Sequence, residues 1–263
     1  MTTNGKLSIE RRGHVLLIGF DRADKRNAFD VDMYLALAAA YGELDRDPDL
    51  RCGLLFGHGE HFTAGLDLPQ WAPVLARGEW IALPEGCIEP FGLDEGKRLR
   101  KPMVVAARGV SFTVAVELML AADIRVAGAD ARFGQLEVQR GFFPCGGATV
   151  RLAQEVGWGN AMRIILSGEE FSAEEAYRLG LVQALVPPDQ TFSAALAIAE
   201  RIAAQAPLGV QAALASARHA RVAGDVAELA VMFGRLGPVL ASEDMAEALS
   251  AFNERRNAVF KGR

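Results

Sequence analysis

The stretch MVVAARGVSFTVAVELMLAADIRVA (103–127) decides the fold class. Its start, MVVAARG (103–109), is a short apolar run entered through Pro102, the pattern of a buried strand. The pattern turns helical from Val114 through Leu118 and returns to a strand at IRVA (124–127). Strand, loop, helix and strand in succession form the unit of an α/β fold. Toward the N-terminus, CGLLFG (52–57) reads as another buried strand, followed by a turn at GHGEHF (57–62). LSIERRGHVLLIGF (7–20) reads as two strands around Gly13. After the loop DRADKRNAFD (21–30), Asp30 can cap a helix with Tyr34, Leu37, Tyr41 and Leu44 on one stripe. The segment 69–101 carries Trp71, Trp80 and Phe91 among Pro69, Pro73 and Pro84, and reads as a long loop with helical pieces that walls a pocket. Beyond residue 158 the chain is mostly helical. Ser172 and Glu175 form a capping box, Gly180 ends that helix, and ALVPP (184–188) is a strand with a stop. From Thr191 on, helices run to the end, one of them with Met245, Leu249 and Phe252 on a stripe.

The bulk properties exclude several classes. With 263 residues, 51% apolar and 23% charged, the chain suits a soluble globular protein. A net charge of −5 supplies no basic field for nucleic acid, so an anionic ligand must be met by local Lys and Arg. No apolar run reaches the roughly 18 residues of a membrane span. The polar start MTTNGKLSIERRG lacks a secretory pattern, so a cytoplasmic location is expected. Cys52, Cys87 and Cys145 are scattered and form no CxxC pair, which indicates neither a disulfide framework nor a zinc site. His58 and His61 lack a third ligand at metal spacing. A Ser/His/Asp set drawn from Ser111, His61 and Asp123 has no nucleophile elbow behind it. Dinucleotide and Walker-type phosphate motifs are absent.

Three segments can carry chemistry. In HFTAGLDL (61–68), Gly65 lets the chain turn so that the Leu66 N–H points outward, although an ordinary strand-to-helix turn looks the same. In SFTVAVELMLAAD (111–123), Ser111 or Thr113 can cap a helix starting near Val114, whose N–H is free and sits at the positive end of the dipole. Glu117 lies one turn in, among Val116, Leu118 and Met119, and is either a functional acid or a buried structural one. In FGQLEVQRGFFPCGGATVRL (133–152), Glu137 is again framed by apolar residues and can instead be a solvent-facing partner of Arg140. Gly146 and Gly147 fit a close backbone approach before a helix at 148–156.

These segments, with DKRNAF (24–29), KPMVVAARG (101–109), SGEEFSAEEAYRLGLVQALVP (167–187) and SEDMAEALSAFNERRNAVFKG (242–262), resemble the crotonase (enoyl-CoA hydratase/isomerase) superfamily in order and over nearly the whole chain. The resemblance implies a spiral of ββα repeats, placed at residues 1–195, and a helical C-terminal region at 196–263 used for trimer contacts, as a trimer or a dimer of trimers. It implies an acyl-CoA thioester as substrate and an oxyanion hole on Leu66 and Val114. Lys25, Arg26, Ala28, Ala64 and Gly65 would hold the CoA portion, with Phe260 and Lys261 touching CoA near a subunit boundary. No metal or redox cofactor is implied, coenzyme A being part of the substrate.

Hydratases of the family keep two glutamates, which fall on Glu117 and Glu137. Two carboxylates sharing one water can deliver hydroxide to the β carbon and a proton to the α carbon. The expected activity is hydration of a 2-enoyl-CoA, or the reverse dehydration. An acyl-CoA double-bond isomerase, a non-catalytic CoA-ester binder, and a thioester hydrolase or decarboxylase are the alternatives. One departure stands out: Thr113-Val114-Ala115-Val116 replaces the family's glycine-rich run and brings β-branched bulk to the oxyanion hole. Arg140, shortly before Phe142-Phe143-Pro144, is expected to reach the pocket and favour an acidic or polar acyl group.

Overall fold

The strands at Val15–Phe20 and Met103–Ala107 are apolar on both faces because they lie inside a layered molecule. The computed structural model describes residues 2–3 and 6–263. A seven-stranded sheet contains β1 (Thr2–Thr3), β2 (Leu7–Arg12), β3 (Val15–Phe20), β4 (Cys52–Gly57) and β5 (Met103–Ala107). A three-stranded sheet begins with β6 (Val110–Phe112); β7 (Ile124–Gly128) returns to the large sheet, β8 (Arg132–Gly134) and β9 (Glu170–Ser172) join the small one, and β10 (Ala184–Val186) closes the large one. From β3 to β10 the large sheet is parallel. The helices are α1 (Val31–Arg46), α2 (Leu68–Leu75), α3 (Val114–Ala121), α4 (Ala148–Val156), α5 (Trp158–Ser167), α6 (Ala173–Arg178), α7 (Thr191–Ala203), α8 (Pro207–Ala223), α9 (Asp225–Leu240) and α10 (Glu243–Glu254).

The spiral is visible in the pairing. Each turn gives one strand to the large sheet and a second, shorter one to the small sheet, then a helix: β5–β6–α3, then β7–β8 and on to α4. Earlier turns do the same with single bridges, Phe29 to Leu66 and Thr63 to Ser111, in place of full strands. Those bridges bring the Ala64–Leu66 loop beside the start of α3.

Strand alternation divides the core in two. Leu16, Ile18, Leu55, Val105 and Ala107 face the interior with α1 and α3. Val15, Leu17, Cys52, Leu54, Val104, Ala106 and Val126 face Ala195, Ala199 and Ala203 of α7. Alanines let α7 lie close on the sheet, so this helix belongs to the core and the 195/196 division expected from the sequence falls inside it. The strands at 7–20, 52–57, 103–107 and 124–128, and the Asp30-capped helix, lie where the sequence reading puts them; Asp30 Oδ1 accepts from the Met33 N–H at 2.9 Å. Among the described residues no helix is long and apolar enough to cross a membrane.

The segment 69–101 differs from expectation. Its aromatic side chains turn inward. Trp71 stacks on Phe29 at 6.5 Å and meets Tyr34 edge-on at 5.5 Å, while its Nε1 donates to the Phe29 carbonyl at 2.8 Å. Trp80 Nε1 donates to the Tyr34 hydroxyl at 2.7 Å. Burying these rings is worth more than lining a wet pocket. Because Phe29 is the residue bridged to Leu66, the cluster braces the loop that carries the site. Trp71→Ala should therefore lower the unfolding free energy by about 3–5 kcal/mol in denaturant titration; a loss under about 1 kcal/mol would show that the cluster carries little of the fold.

Candidate active site

A cavity of about 350 Å³ opens near the carboxyl ends of β4 and β5, bordered by Ala64, Leu66, Val114, Glu117, Glu137 and Arg140. The Leu66 N–H reaches it by strand geometry. Phe29 N–H donates to Gly65 O at 2.8 Å and Asp67 N–H to Phe29 O at 3.0 Å, so the intervening Leu66 N–H points away from that bridge. Val114 is the first residue of α3, and its N–H precedes any intrahelical acceptor. Among the described residues neither N–H has an acceptor. Gly65, at φ 103°, lets the turn form; a Cβ there would collide with Thr113 Oγ1. The Val114 side chain is packed in the core, 1% exposed, and the residue borders the cavity.

The loop is pinned by residues whose purpose the sequence left unread. Thr63 Oγ1 accepts from the Gly65 N–H at 3.2 Å and donates to Asn27 O at 2.7 Å. Asn27, left-handed at φ 54°, donates through Nδ2 to His58 O and His61 O at 3.0 and 2.8 Å.

Glu117 sits on α3 and Glu137 opens a short 3-10 turn, Glu137–Arg140, with 5% and 3% exposure. Glu117 Oε1 accepts from the Gly146 N–H at 2.6 Å and the Ala148 N–H at 3.3 Å. Gly146 is required for this approach, since a Cβ would lie 2.5 Å from Glu117 Oε2. In the amide orientation that satisfies both groups, Gln135 Nε2 donates to each oxygen of Glu137 at 2.9 Å. Its place in FGQLE, an amide two residues before an acid in an apolar frame, was the available signal. Burial pushes the Glu137 carboxyl up to about 7; burial, and then the charge of Glu137, push Glu117 up to about 8. Near neutrality the pair thus retains a proton. Cys145 borders the same cavity, its thiol pushed up to about 11 by burial and by both acids.

Other expectations separate. Arg26 and Ala64 border the cavity; Lys25 and Ala28, in the same loop as Arg26, do not, and Ala28 O accepts from Arg22. A single chain does not bring Phe260 and Lys261 there. Phe260 O accepts from Arg51, at the amino end of β4, and the Lys261 N–H donates to Asp244 Oδ1 at 2.6 Å. The cap foreseen for α3 is not made: neither Ser111 nor Thr113 caps it through its side chain. Arg140 is at the cavity edge and does not pair with Glu137. None of the described residues in 69–101 borders the cavity. Ser111, His61 and Asp123 do not converge: they bond to Arg108 O, the Val110 N–H, and Met103 and Arg218 respectively. A larger cleft beside α8, about 500 Å³, holds Arg100, Arg218 and Arg235, each paired with a carboxylate.

Two N–H groups without acceptors and two raised carboxylates thus border one cavity of a ββα spiral. The chain belongs to the enoyl-CoA hydratase/isomerase family, whose model matches residues 10–263. It is 35% identical over 259 residues to the enoyl-CoA hydratase EchA19 of Mycobacterium tuberculosis, covering 97% of this chain and 96% of that one. It is 32% identical to the 2,3-dehydroadipyl-CoA hydratase of Escherichia coli, covering 98% and 99%. Among solved structures, a probable enoyl-CoA hydratase/isomerase from Mycobacterium abscessus superposes with a TM-score of 0.94 at 47% identity, covering 98% of this chain and 99% of that one.

A carboxyl whose folded pKa is raised binds more protons folded than unfolded, so its presence weakens the fold as pH climbs from its unfolded value near 4.5 toward about 8. Glu117→Gln removes that dependence. The stability of the variant relative to wild type should rise between about pH 5 and 7 by up to about 1.4 kcal/mol per pH unit in denaturant titrations. A difference that stays flat with pH would contradict the buried, proton-holding acid.

Proposed function

We propose that this protein is an enoyl-CoA hydratase-like hydro-lyase, adding water across the 2,3 double bond of an acyl-CoA thioester or running the reverse dehydration. The observation that carries the reading is the joint presence, in one cavity, of the Glu117–Glu137 pair and the unengaged N–H groups of Leu66 and Val114. The thioester oxygen would lie between the two N–H groups. Water held by both carboxylates attacks the β carbon while Glu117 takes its proton; the C=C electrons move through the α carbon onto the oxygen as an enolate. Glu137 then gives its proton to the α carbon, the enolate collapses to the thioester, and the proton balance is restored through solvent. The Gly146 and Ala148 N–H groups oppose the burial that raises Glu117 and draw it toward the ionised form in which it takes the proton of water. One backbone donor to such an oxyanion is typically worth about 3–4 kcal/mol. No step calls for a metal or redox group, and coenzyme A enters with the substrate. An isomerase needs one proton-shuttling acid, whereas here two are buried in one cavity and each is held by its own donors, which favours hydration.

We read Arg140 at the cavity edge as favouring an acidic or polar acyl group, and Arg26 with Ala64 as the CoA side. The exposed apolar residues of α9 and α10, Phe233 at 85% and Phe252 at 82% among them, suit contacts between copies in a trimer or dimer of trimers. Phe260 and Lys261 would then serve a neighbour's site.

Glu137→Gln should lower kcat for crotonyl-CoA hydration by roughly 10²–10⁴-fold while KM stays within a few-fold. With wild-type protein in heavy-oxygen water, the label should enter the product. Wild-type turnover in the variant, or double-bond migration with no label uptake, would overturn the hydratase reading.

A further inference from the structure

The Leu66 N–H is directed by a series of bonds that zip residues 63–67 to residues 26–29. Thr63 Oγ1 donates to Asn27 O at 2.7 Å, the Ala64 N–H to Arg26 O at 2.9 Å, the Phe29 N–H to Gly65 O at 2.8 Å and the Asp67 N–H to Phe29 O at 3.0 Å. One side chain closes the end of this zipper. Arg22 Nη1 donates to Ala28 O at 2.9 Å and to Asp67 Oδ2 at 2.8 Å, so it grips the residue before Phe29 and the residue after Leu66. Arg22 is itself anchored. Its backbone N–H donates to Asn27 Oδ1 at 2.8 Å, and Asp30 Oδ2 lies 3.3 Å from Nη1.

Asp67 departs from its local role to make this contact. It is the N-cap of α2, where an aspartate ordinarily accepts from N–H groups of the first turn, yet its side chain makes no capping bond. Pro69, in that turn, has no N–H to offer. The carboxylate turns to Arg22 instead. Both side chains are largely buried, at 12% and 16% exposure, so removing either partner leaves a charge with little water to take its place. Neither residue borders the cavity, so whatever the pair does for a bound substrate passes through Leu66.

We propose that Arg22 and Asp67 are positioning residues for the oxyanion hole: by clamping the chain on both sides of the Phe29–Leu66 bridge, the pair sets the direction of the Leu66 N–H toward the thioester oxygen. The proposal rests on the oxyanion-hole reading above. A donor to this oxygen bonds more strongly to the enolate than to the thioester, so its misdirection falls on kcat rather than KM.

Arg22→Gln and Asp67→Ala should each lower kcat for crotonyl-CoA by roughly 10–10²-fold with KM within about threefold. Both act through one contact, so the double variant should be no slower than the slower single one. Asp67→Asn, which keeps an oxygen to accept from Nη1, should recover most of the rate, and it carries the test if the harsher variants do not fold. A second readout needs no turnover: the infrared C=O stretch of bound butyryl-CoA, which has no double bond to hydrate, should move to higher wavenumber in Arg22→Gln and Asp67→Ala and return toward wild type in Asp67→Asn. Arg218→Gln is the control, since Arg218 meets Asp123 at 2.7 Å with similar burial and borders no part of this cavity. It should lose stability in denaturant titration and keep the wild-type rate and stretch. If Arg22→Gln and Asp67→Ala lose stability yet keep rate and stretch, the pair is structural only and the proposal falls. It falls equally if Arg218→Gln moves the stretch as they do, or if the losses add in the double variant. If wild type does not hydrate crotonyl-CoA yet the stretch shifts as described, the hydration reading fails and the clamp stands. If the stretch in wild type is no lower than in free butyryl-CoA, the hole itself fails and the clamp with it.

Discussion

The bond from the Gly146 N–H to Glu117 Oε1, at 2.6 Å, is the contact on which the rest of the site depends. A carboxylate taken out of water has to be met by donors or give up its charge. Here the loop before α4 supplies the donors, Gly146 and Ala148, and in doing so ties α3 to the segment that begins with Glu137. The same closeness leaves no room for a side chain at residue 146. The contact thus solvates Glu117, joins two turns of the spiral, and sets the two acids in one cavity.

The fold places the partners of that pair by an equally local rule. Successive parallel strands end at the same edge, and each is followed by a loop that crosses into the small sheet. The loop after β4 brings Leu66, the one after β5 and β6 brings Val114, and the one after β7 and β8 brings Glu137. Parallel register makes these loops neighbours even though they are far apart in sequence. The aromatic cluster around Trp71 and Tyr34 then fixes Phe29, and through its bridge the Leu66 loop. Stability and positioning of the donors are therefore carried by the same contacts.

Much of this was legible in the sequence where local pattern governs. The strands at 52–57 and 103–107, the Asp30 cap, the start of α3 at Val114 and the two acids in apolar frames all follow from short-range chemistry. What escaped depended on distant neighbours. Gln135 matters because its amide meets Glu137, and nothing in FGQLE says which way the amide faces. The aromatic side chains of 69–101 could have lined a pocket or filled a core, and the apolar partners Phe29 and Tyr34 decided for the core. Thr113 looked like a helix cap, whereas the close approach of Gly65 and the bond to Gly134 hold it at positive φ with its hydroxyl unused. Phe260 lies at the amino end of β4, away from this chain's cavity, which only the sheet's direction could reveal.

The most direct test of the account is a crystal structure of the protein with butyryl-CoA bound. The account predicts the thioester oxygen at ~2.7–3.1 Å from both the Leu66 and Val114 nitrogens, with the carboxylates of Glu117 and Glu137 on one face of the α and β carbons. A thioester turned away from those nitrogens, or either acid directed to bulk solvent, would contradict it.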